Sequence, residues 1–281
     1  MAIATDRFCI NRKIAPALSI EAFFRLVNKS GLNKVELRND MTSGKVTDNL
    51  SPLQVRELAE HYGIEILTIN AVYPFNQRTE QVRALTESLL SDARSVGAKS
   101  LVMCPLNDGS PVPPQETLKA LQELAPLFAA YGINGLVEPL GFPQSSLRSA
   151  AMAQDLIRDA RAPFKLLIDT FHHHLYPDAE AELSQVEITS IGLVHLSGVD
   201  DRRPREELTD AERIMLTPED RLYTCQQVKK LEERGYQGAY AFEPFAPQLA
   251  EWDEKKIQHE IESSIALIQH SFNGNQIHQH I

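Results

Sequence analysis

Short apolar runs alternate with amphipathic stretches from one end of the chain to the other. Eight of these runs have the length of β-strands, and some, such as LLID and IGLVH, are apolar at nearly every position. Such runs are typical of parallel strands, because both faces of a parallel sheet are covered. The predicted strands cover 8–11, 34–38, 65–70, 100–104, 135–138, 165–169, 192–195 and 239–243.

Between these strands, apolar residues recur every three or four positions, which predicts helices with one buried face. Ser19 and the Ser-Pro pair at 51–52 are suitable starts for two of the helices. Pro126 lies inside another and predicts a kink or an early end. The predicted helices cover 19–30, 51–62, 79–96, 113–131, 145–160, 223–234 and 253–272, with a weaker pattern at 178–187.

Glycine follows five of these helices shortly before the next strand, where a helix commonly ends in a left-handed residue. These glycines are Gly31, Gly63, Gly97, Gly132 and Gly235. The repeated strand–helix alternation predicts an α/β protein with a single (β/α)8 TIM barrel over 1–272 and a polar tail over 273–281. An open doubly wound sheet is the alternative. It usually has a glycine-rich loop after its first strand, whereas this chain has NRKIAP there.

The charge and the cysteine content narrow the classes of protein. A net charge of −10 over 281 residues disfavours nucleic-acid binding. Three scattered cysteines suit a reducing compartment, and no signal peptide or membrane-spanning stretch is evident, so we expect a cytoplasmic protein. Barrels of this type often form homo-oligomers, and no sequence feature identifies an interface.

Four predicted strands in the second half of the chain each end in a potential metal ligand. They are Glu138, Asp169, His195 and Glu243. In a barrel these strand ends meet at one face, where active sites form. A single carboxylate there is usually a helix cap or a surface charge, but three buried together repel one another unless a cation neutralises them. The oxygen-rich set suits one divalent ion, Mn²⁺ or Co²⁺ first, with Mg²⁺ or Zn²⁺ as alternatives.

Two further sets of side chains are candidates for binding a substrate. His172 lies three residues after Asp169 and faces the same cavity if a turn begins there, while the adjacent His173 and His174 are equally suited to capping or to the surface. Glu36 and Arg38 share one face of their strand, because strand side chains alternate. This pair either orients a substrate or forms a structural ion pair at the barrel rim.

The strand-end pattern of Glu, Asp, His and Glu resembles the xylose isomerase-like TIM barrel superfamily of sugar isomerases and epimerases. Five segments resemble its inosose isomerase group more closely: FCINRKIAP, GLNKVELRND, IDTFHHHL, LVHLSGVDD and AFEPFAP. The resemblance extends over nearly the whole chain. It implies a metal-dependent keto–enediol isomerisation of a small polyol or keto-sugar. The expected reaction interconverts 2-keto-myo-inositol (scyllo-inosose) and 1-keto-D-chiro-inositol in inositol catabolism.

The resemblance also implies roles for individual residues. Glu138 and Glu243 would bind the metal and act as the acid and base, whereas Asp169 and His195 would only bind the metal. His172 would donate a hydrogen bond to a substrate oxygen. An arginine after the seventh strand would bind substrate.

Arg213 best matches the setting of that arginine, although Arg202 and Arg203 are nearer in sequence. The family's glycine-containing segment after it is replaced here by MLTPEDRLY.

Four other functions are alternatives to this one. Ketose 3-epimerases and hydroxypyruvate isomerases use the same metal core, so only pocket residues separate them. Apurinic endonucleases of the superfamily need extra histidines on early strands, where this chain has Asn11, Arg38, Asn70 and Cys104. A catalytically silent polyol sensor has no need of two facing glutamates.

Overall fold

The computed structural model describes residues 2–274 and confirms the predicted (β/α)8 barrel. Eight parallel strands close in chain order, with β1 paired to β8. The strands are β1 (Phe8–Asn11), β2 (Lys34–Arg38), β3 (Glu65–Val72), β4 (Ser100–Met103), β5 (Asn134–Val137), β6 (Lys165–Asp169), β7 (Ile191–Leu196) and β8 (Tyr240–Phe242).

The helices surround the barrel and bury their apolar faces against the outer side of the strands. They are α1 (Ile20–Lys29), α2 (Pro52–Tyr62), α3 (Glu80–Val96), α4 (Pro114–Tyr131), α5 (Ala150–Asp159), α6 (Thr170–Leu175), α7 (Ala179–Glu182), α8 (Thr224–Glu233) and α9 (Glu254–Asn273). The expected starts are present, since Ser19 caps α1 and Ser51 forms a capping box with Gln54 at α2. Gly63 and Gly132 end their helices with positive φ angles of 66° and 67°.

Helix α6 has no counterpart among the predicted helices, and α7 covers only four residues of the weaker pattern at 178–187. Helices α4 and α5 also differ from the sequence-based prediction. Helix α4 runs through Pro126 to Tyr131 without ending early, because Leu124 and Phe128 pack into the core on either side of the proline. Helix α5 starts at Ala150 rather than at 145. The Ser149 side chain caps it by accepting a hydrogen bond from the Met152 N–H.

The inside of the barrel has an apolar layer and a polar layer above it. The apolar layer consists of Cys9, Val102, Leu136, Leu167, Leu193 and Ala241. Two positions further along the same strands, and so on the same face, are Asn11, Cys104, Glu138, Asp169, His195 and Glu243. The strand period of two therefore places the candidate ligands together at the C-terminal end of the barrel.

Within residues 2–274, no helix combines the length and apolar content needed to cross a membrane. Of the predicted polar tail, Asn273 ends α9 and Gly274 caps it. The rest of that tail, from 275 to 281, lies outside the described residues.

Candidate active site

The four predicted metal ligands converge at the C-terminal end of the barrel. One potential ligand atom from each of Glu138, Asp169, His195 and Glu243 lies within 4.8 Å of the others, and all four side chains are buried. Strand register brings them level: Asp169 pairs with His195 across β6 and β7. Glu138 and Glu243 each lie one residue past a strand, where their N–H groups still donate to the neighbouring strand.

One ring nitrogen of His195 has no hydrogen bond among the described residues, and it faces two of these carboxylates. Among the residues described, its buried Nδ1 has no hydrogen-bond partner, although it lies 3.1 Å from Glu243 Oε1 and 3.7 Å from Asp169 Oδ2. Burial alone would lower the pKa of His195, but the Glu243 and Glu36 carboxylates outweigh it and raise that pKa well above its ordinary value. A field that favours a proton at this ring also favours a metal cation.

Glu243 is surrounded by positive groups. Arg38 donates to its Oε2 at 2.6 Å, and Arg213 donates to its Oε1 at 3.2 Å. Burial opposes ionisation, but His195 and these two guanidiniums outweigh it and hold the pKa of Glu243 well below its ordinary value. Glu243 is therefore a carboxylate at neutral pH even before any cation binds.

Asp169 uses its two oxygens for different purposes. Oδ1 caps helix α6 by accepting hydrogen bonds from the N–H groups of Phe171 and His172 at 2.7 Å and 3.3 Å. Oδ2 faces the site and accepts a 2.6 Å hydrogen bond from Arg213. Burial raises the pKa of Asp169 above its ordinary value, with Arg213 opposing the change.

Glu138 has far weaker partners than Glu243. The Cys104 thiol lies 3.8 Å from its Oε1, and His172 Nε2 lies 3.8 Å from its Oε2. Burial, followed by repulsion from Glu243, raises the pKa of Glu138 well above its ordinary value. The two glutamates on the cavity wall thus differ in protonation when no cation neutralises them.

A cavity of 440 Å³ opens above these side chains. Glu138, Glu243, Arg38, Arg213 and His172 all contribute to its wall. Asp169 and His195 lie beneath it and do not contribute. The cavity is large enough for a six-carbon ring or chain.

His172 offers a neutral N–H group to this cavity. The Gly141 N–H donates to His172 Nδ1 at 2.9 Å, so the ring proton must be on Nε2. Only glycine permits this approach, because a Cβ at residue 141 would overlap the His172 carbonyl oxygen. Burial, followed by repulsion from Arg213, lowers the pKa of His172 to about 3.

The remaining sequence candidates lie in other places. Glu36 is fully buried beneath the cavity and touches His195 rather than open space. It does not pair with Arg38, which instead donates to Asp40 and Glu243. His173 Nε2 lies 3.2 Å from Glu180 Oε2, outside the cavity.

The structure also separates the three arginines after β7. Arg213 is buried in the site, while Arg203 is paired with Asp201 and Glu212 near the surface. Arg202 is exposed and, like Arg203, has no place on the cavity wall.

Asn11 and Asn70, which stand at the predicted ends of early strands, both donate to Glu36. Asn70 also reaches the cavity wall, as does Cys104.

Three residues of the site were not identified from the sequence. Asp40 and Asp210 at the rim hold the guanidiniums of Arg38 and Arg213, respectively. The Phe245 ring lies beside both guanidiniums, at 5.0 Å and 4.6 Å from its centroid. Asp40 and Phe245 could have been found from the sequence, because each lies two positions after a residue that was identified. Asp210 lies in a loop, where no sequence pattern marks it.

The donor set fits a divalent cation. Three carboxylates and one imidazole nitrogen match the hard and intermediate ions, from Mg²⁺ and Mn²⁺ to Co²⁺ and Zn²⁺. The buried Nδ1 of His195 supplies the lone pair that such an ion requires, beside oxygens of Asp169 and Glu243.

Comparison with known proteins adds independent information. Residues 24–267 match the family model described as Xylose isomerase-like TIM barrel. An inosose isomerase of Bacillus velezensis is 26% identical over 235 residues, which cover 79% of this chain and 82% of that protein.

Two crystal structures have the same fold. A xylose isomerase domain containing protein from Salmonella typhimurium LT2 is 62% identical, with a TM-score of 0.95 over 95% of this chain and 99% of that one. The IolI protein with a zinc atom bound is 20% identical, with a TM-score of 0.82 over 93% of this chain and 97% of that one.

Proposed function

Because the chain belongs to the xylose isomerase-like TIM barrel family, we propose that it is a divalent-metal-dependent isomerase of a keto-polyol. The proposed reaction interconverts 2-keto-myo-inositol and 1-keto-D-chiro-inositol through an enediol, as in inositol catabolism. The similarity to the inosose isomerase of Bacillus velezensis supports this choice of substrate. A cytoplasmic location accords with such a small-molecule substrate.

One observation carries the proposal. Two buried glutamates, Glu138 and Glu243, face one cavity directly beside an imidazole nitrogen that has no hydrogen bond in the described part of the chain. A binding protein does not need this arrangement. An enzyme that moves a proton between neighbouring carbons needs one carboxylate to take the proton and one to return it.

In the proposed mechanism, Glu138, Asp169, His195 and Glu243 hold the cation. When bound, the cation supplies Lewis-acid stabilisation of negative charge that develops on the substrate. Glu138, which would be ionised beside the bound cation, removes the proton from the hydroxyl-bearing carbon next to the ketone, and its buried surroundings then favour the protonated form. Glu138 passes this proton to the former ketone oxygen, which gives an enediol. Glu243, which is ionised, takes the proton of the other enediol hydroxyl and returns it to the former ketone carbon, so that both carboxylates are regenerated.

The other cavity residues orient the substrate. His172 donates its Nε2–H to a substrate oxygen, which is consistent with the Gly141 hydrogen bond that occupies Nδ1. Arg213 lies against the Phe171 and Phe245 rings with ring-centroid distances of 4.7 Å and 4.6 Å, so its position is restricted. Its guanidinium is suited to hold hydroxyl groups at this side of the cavity.

The charges of the site favour a neutral substrate over an anionic one. Four buried carboxylates, including Glu36, are accompanied by two buried guanidiniums, Arg38 and Arg213. A divalent cation therefore balances the inner charges without any contribution from substrate. The rim adds the negative Asp40 and Asp210. This distribution supports a keto-polyol and disfavours hydroxypyruvate, which carries a carboxylate.

The test follows 2-keto-myo-inositol by NMR in D₂O with Mn²⁺-activated protein, the metal being removed before spectra are recorded. We expect the 1-keto isomer to appear with deuterium on the carbon that receives the proton. Glu138→Gln and Glu243→Gln should both abolish the conversion. D-fructose, as a linear ketose, and hydroxypyruvate serve as competing substrates.

Turnover of the linear ketose alone would assign the protein to the 3-epimerases, and turnover of hydroxypyruvate alone would contradict the charge argument. Metal and ligand binding without turnover of any of the three would support a sensor instead.

A further inference from the structure

We propose that Glu36 is a positioning residue that holds the His195 ring so that its Nδ1 lone pair faces the cation. This inference rests on the metal centre of the proposed function. It assigns Glu36 to the support of a metal ligand rather than to contact with the substrate.

The first argument is the direct contact between the two side chains. His195 Nε2 lies 2.8 Å from Glu36 Oε1 and 3.0 Å from its Oε2. Both residues are fully buried. They belong to β2 and β7, which are not neighbours in the barrel, so the hydrogen bond crosses the interior.

The second argument is the surroundings of the Glu36 carboxylate. Thr68 donates to Oε2 at 2.5 Å and Asn70 donates to the same oxygen at 3.0 Å. Asn11 donates to Oε1 at 3.1 Å. These three neutral donors prevent the carboxylate from rotating, and the carboxylate itself is only a hydrogen-bond acceptor. The nitrogen that faces it must then carry the proton.

The tautomer of His195 follows from this hydrogen bond. With the proton on Nε2, a neutral ring has its lone pair on Nδ1, which is the atom beside Glu243 and Asp169. Metal-bound histidines commonly donate their other N–H to a carboxylate, and losing that acceptor typically weakens metal binding 10- to 100-fold. The same physical effect is expected here.

The location of Glu36 excludes direct contact with a substrate in this structure. Arg38 and Asn70 reach the cavity wall, whereas Glu36 does not. Its side chain has no exposed surface, and its oxygens are already occupied by His195 and the three neutral donors.

The matched variants for the test are Glu36→Gln and Thr68→Val. Glutamine places an amide group among the donors of Thr68, Asn70 and Asn11, and so permits His195 to change its tautomer. Valine removes one donor to Glu36 and keeps the Glu36–His195 contact. Both changes disturb a buried polar cluster, but only the first alters the acceptor of His195.

The measurement is calorimetric titration of each metal-free protein with Zn²⁺, after circular dichroism has shown that it is folded. We expect affinity to fall 10- to 100-fold in Glu36→Gln and to stay within about threefold of wild type in Thr68→Val. Glu36→Asp, which keeps a carboxylate, should recover part of the loss. Equal affinities for wild type and Glu36→Gln would overturn the inference.

A second measurement needs no variant. In ¹⁵N-histidine-labelled wild type with Zn²⁺ bound, long-range proton–nitrogen correlation spectra identify which nitrogen of His195 carries the proton. Protonated Nε2 is expected, and protonated Nδ1 would overturn the inference even if Glu36→Gln did not fold. Failure of wild type to bind any divalent ion would instead contradict the metal centre itself.

Discussion

Glu243 and Glu138 stand on the same cavity wall, yet their surroundings are opposite in character. Glu243 accepts hydrogen bonds from Arg38 and Arg213 and lies 3.1 Å from the His195 ring. Glu138 has a thiol and a neutral imidazole, each 3.8 Å away. As a result, the pKa of Glu243 lies well below its ordinary value and that of Glu138 well above it.

This asymmetry lets one site combine stability with reactivity. On the Glu243 side of the cavity, which includes Arg38 and Arg213, the buried guanidiniums compensate the carboxylate charge before any cation binds. On the Glu138 side, which includes Cys104 and His172, no charged partner among the described residues compensates the buried carboxyl group. This arrangement costs folding free energy, but it keeps a proton acceptor available when the cation binds.

The largest effect is expected for Glu243→Gln. The substitution leaves Arg38 with only the half-exposed Asp40 as an anionic partner, while Arg213 keeps Asp169. The loss of a buried anionic partner typically costs about 3–5 kcal/mol. We expect this decrease in the free energy of unfolding in urea, measured on EDTA-treated protein. Isomerase activity should also be abolished. An unchanged free energy of unfolding would show that the guanidiniums find other partners.

Glu138→Gln should separate activity from stability. Loss of a positioned acid–base group typically lowers turnover by about 10²–10⁴-fold. The metal-free protein should nevertheless unfold at the same urea concentration as wild type or a higher one, because a poorly compensated buried carboxyl has been removed. The measurement pairs turnover of the metal-loaded variant with urea unfolding of its EDTA-treated form. Destabilisation comparable to that of Glu243→Gln would contradict the asymmetry.

His172 contributes a pH dependence of stability on the Glu138 side. Its pKa is about 3 in the folded protein and about 6.5 in an unfolded chain. Between those values the unfolded state binds a proton that the folded state does not, so stability falls as the pH falls. From pH 7 to pH 5, wild type should lose about 2 kcal/mol more than His172→Gln in EDTA-treated samples. Equal losses would indicate a protonated His172.

Cys104→Ala is expected to give the smallest effect. The thiol lies 3.8 Å from Glu138, and burial raises its pKa well above its ordinary value, so it is neutral near pH 7. A weak thiol hydrogen bond contributes little, and we expect Zn²⁺ affinity within about threefold of wild type. A much larger decrease in calorimetric affinity would mean that Cys104 supports the Glu138 side.

Local sequence patterns are enough to predict the fold and to place the site at the C-terminal ends of the strands. Eight apolar runs with helical segments between them predict the barrel, because strand and helix periods are local properties of the chain. The strand period of two also explains why Glu138, Asp169, His195 and Glu243 lie directly above the apolar layer. The proposed metal centre could therefore be located from strand ends alone.

The groups that surround each predicted ligand, by contrast, are known only from the tertiary structure. Glu36 and His195 are 159 residues apart, and Arg38 and Glu243 are 205 apart, yet each pair is in hydrogen-bond contact. Whether Glu36 faces the cavity or lies beneath it depends on how deep its strand sits in the closed barrel. The choice of Arg213 over Arg202 and Arg203 depends on the path of a loop. Such contacts depend on long-range packing, for which a local sequence pattern has no signal.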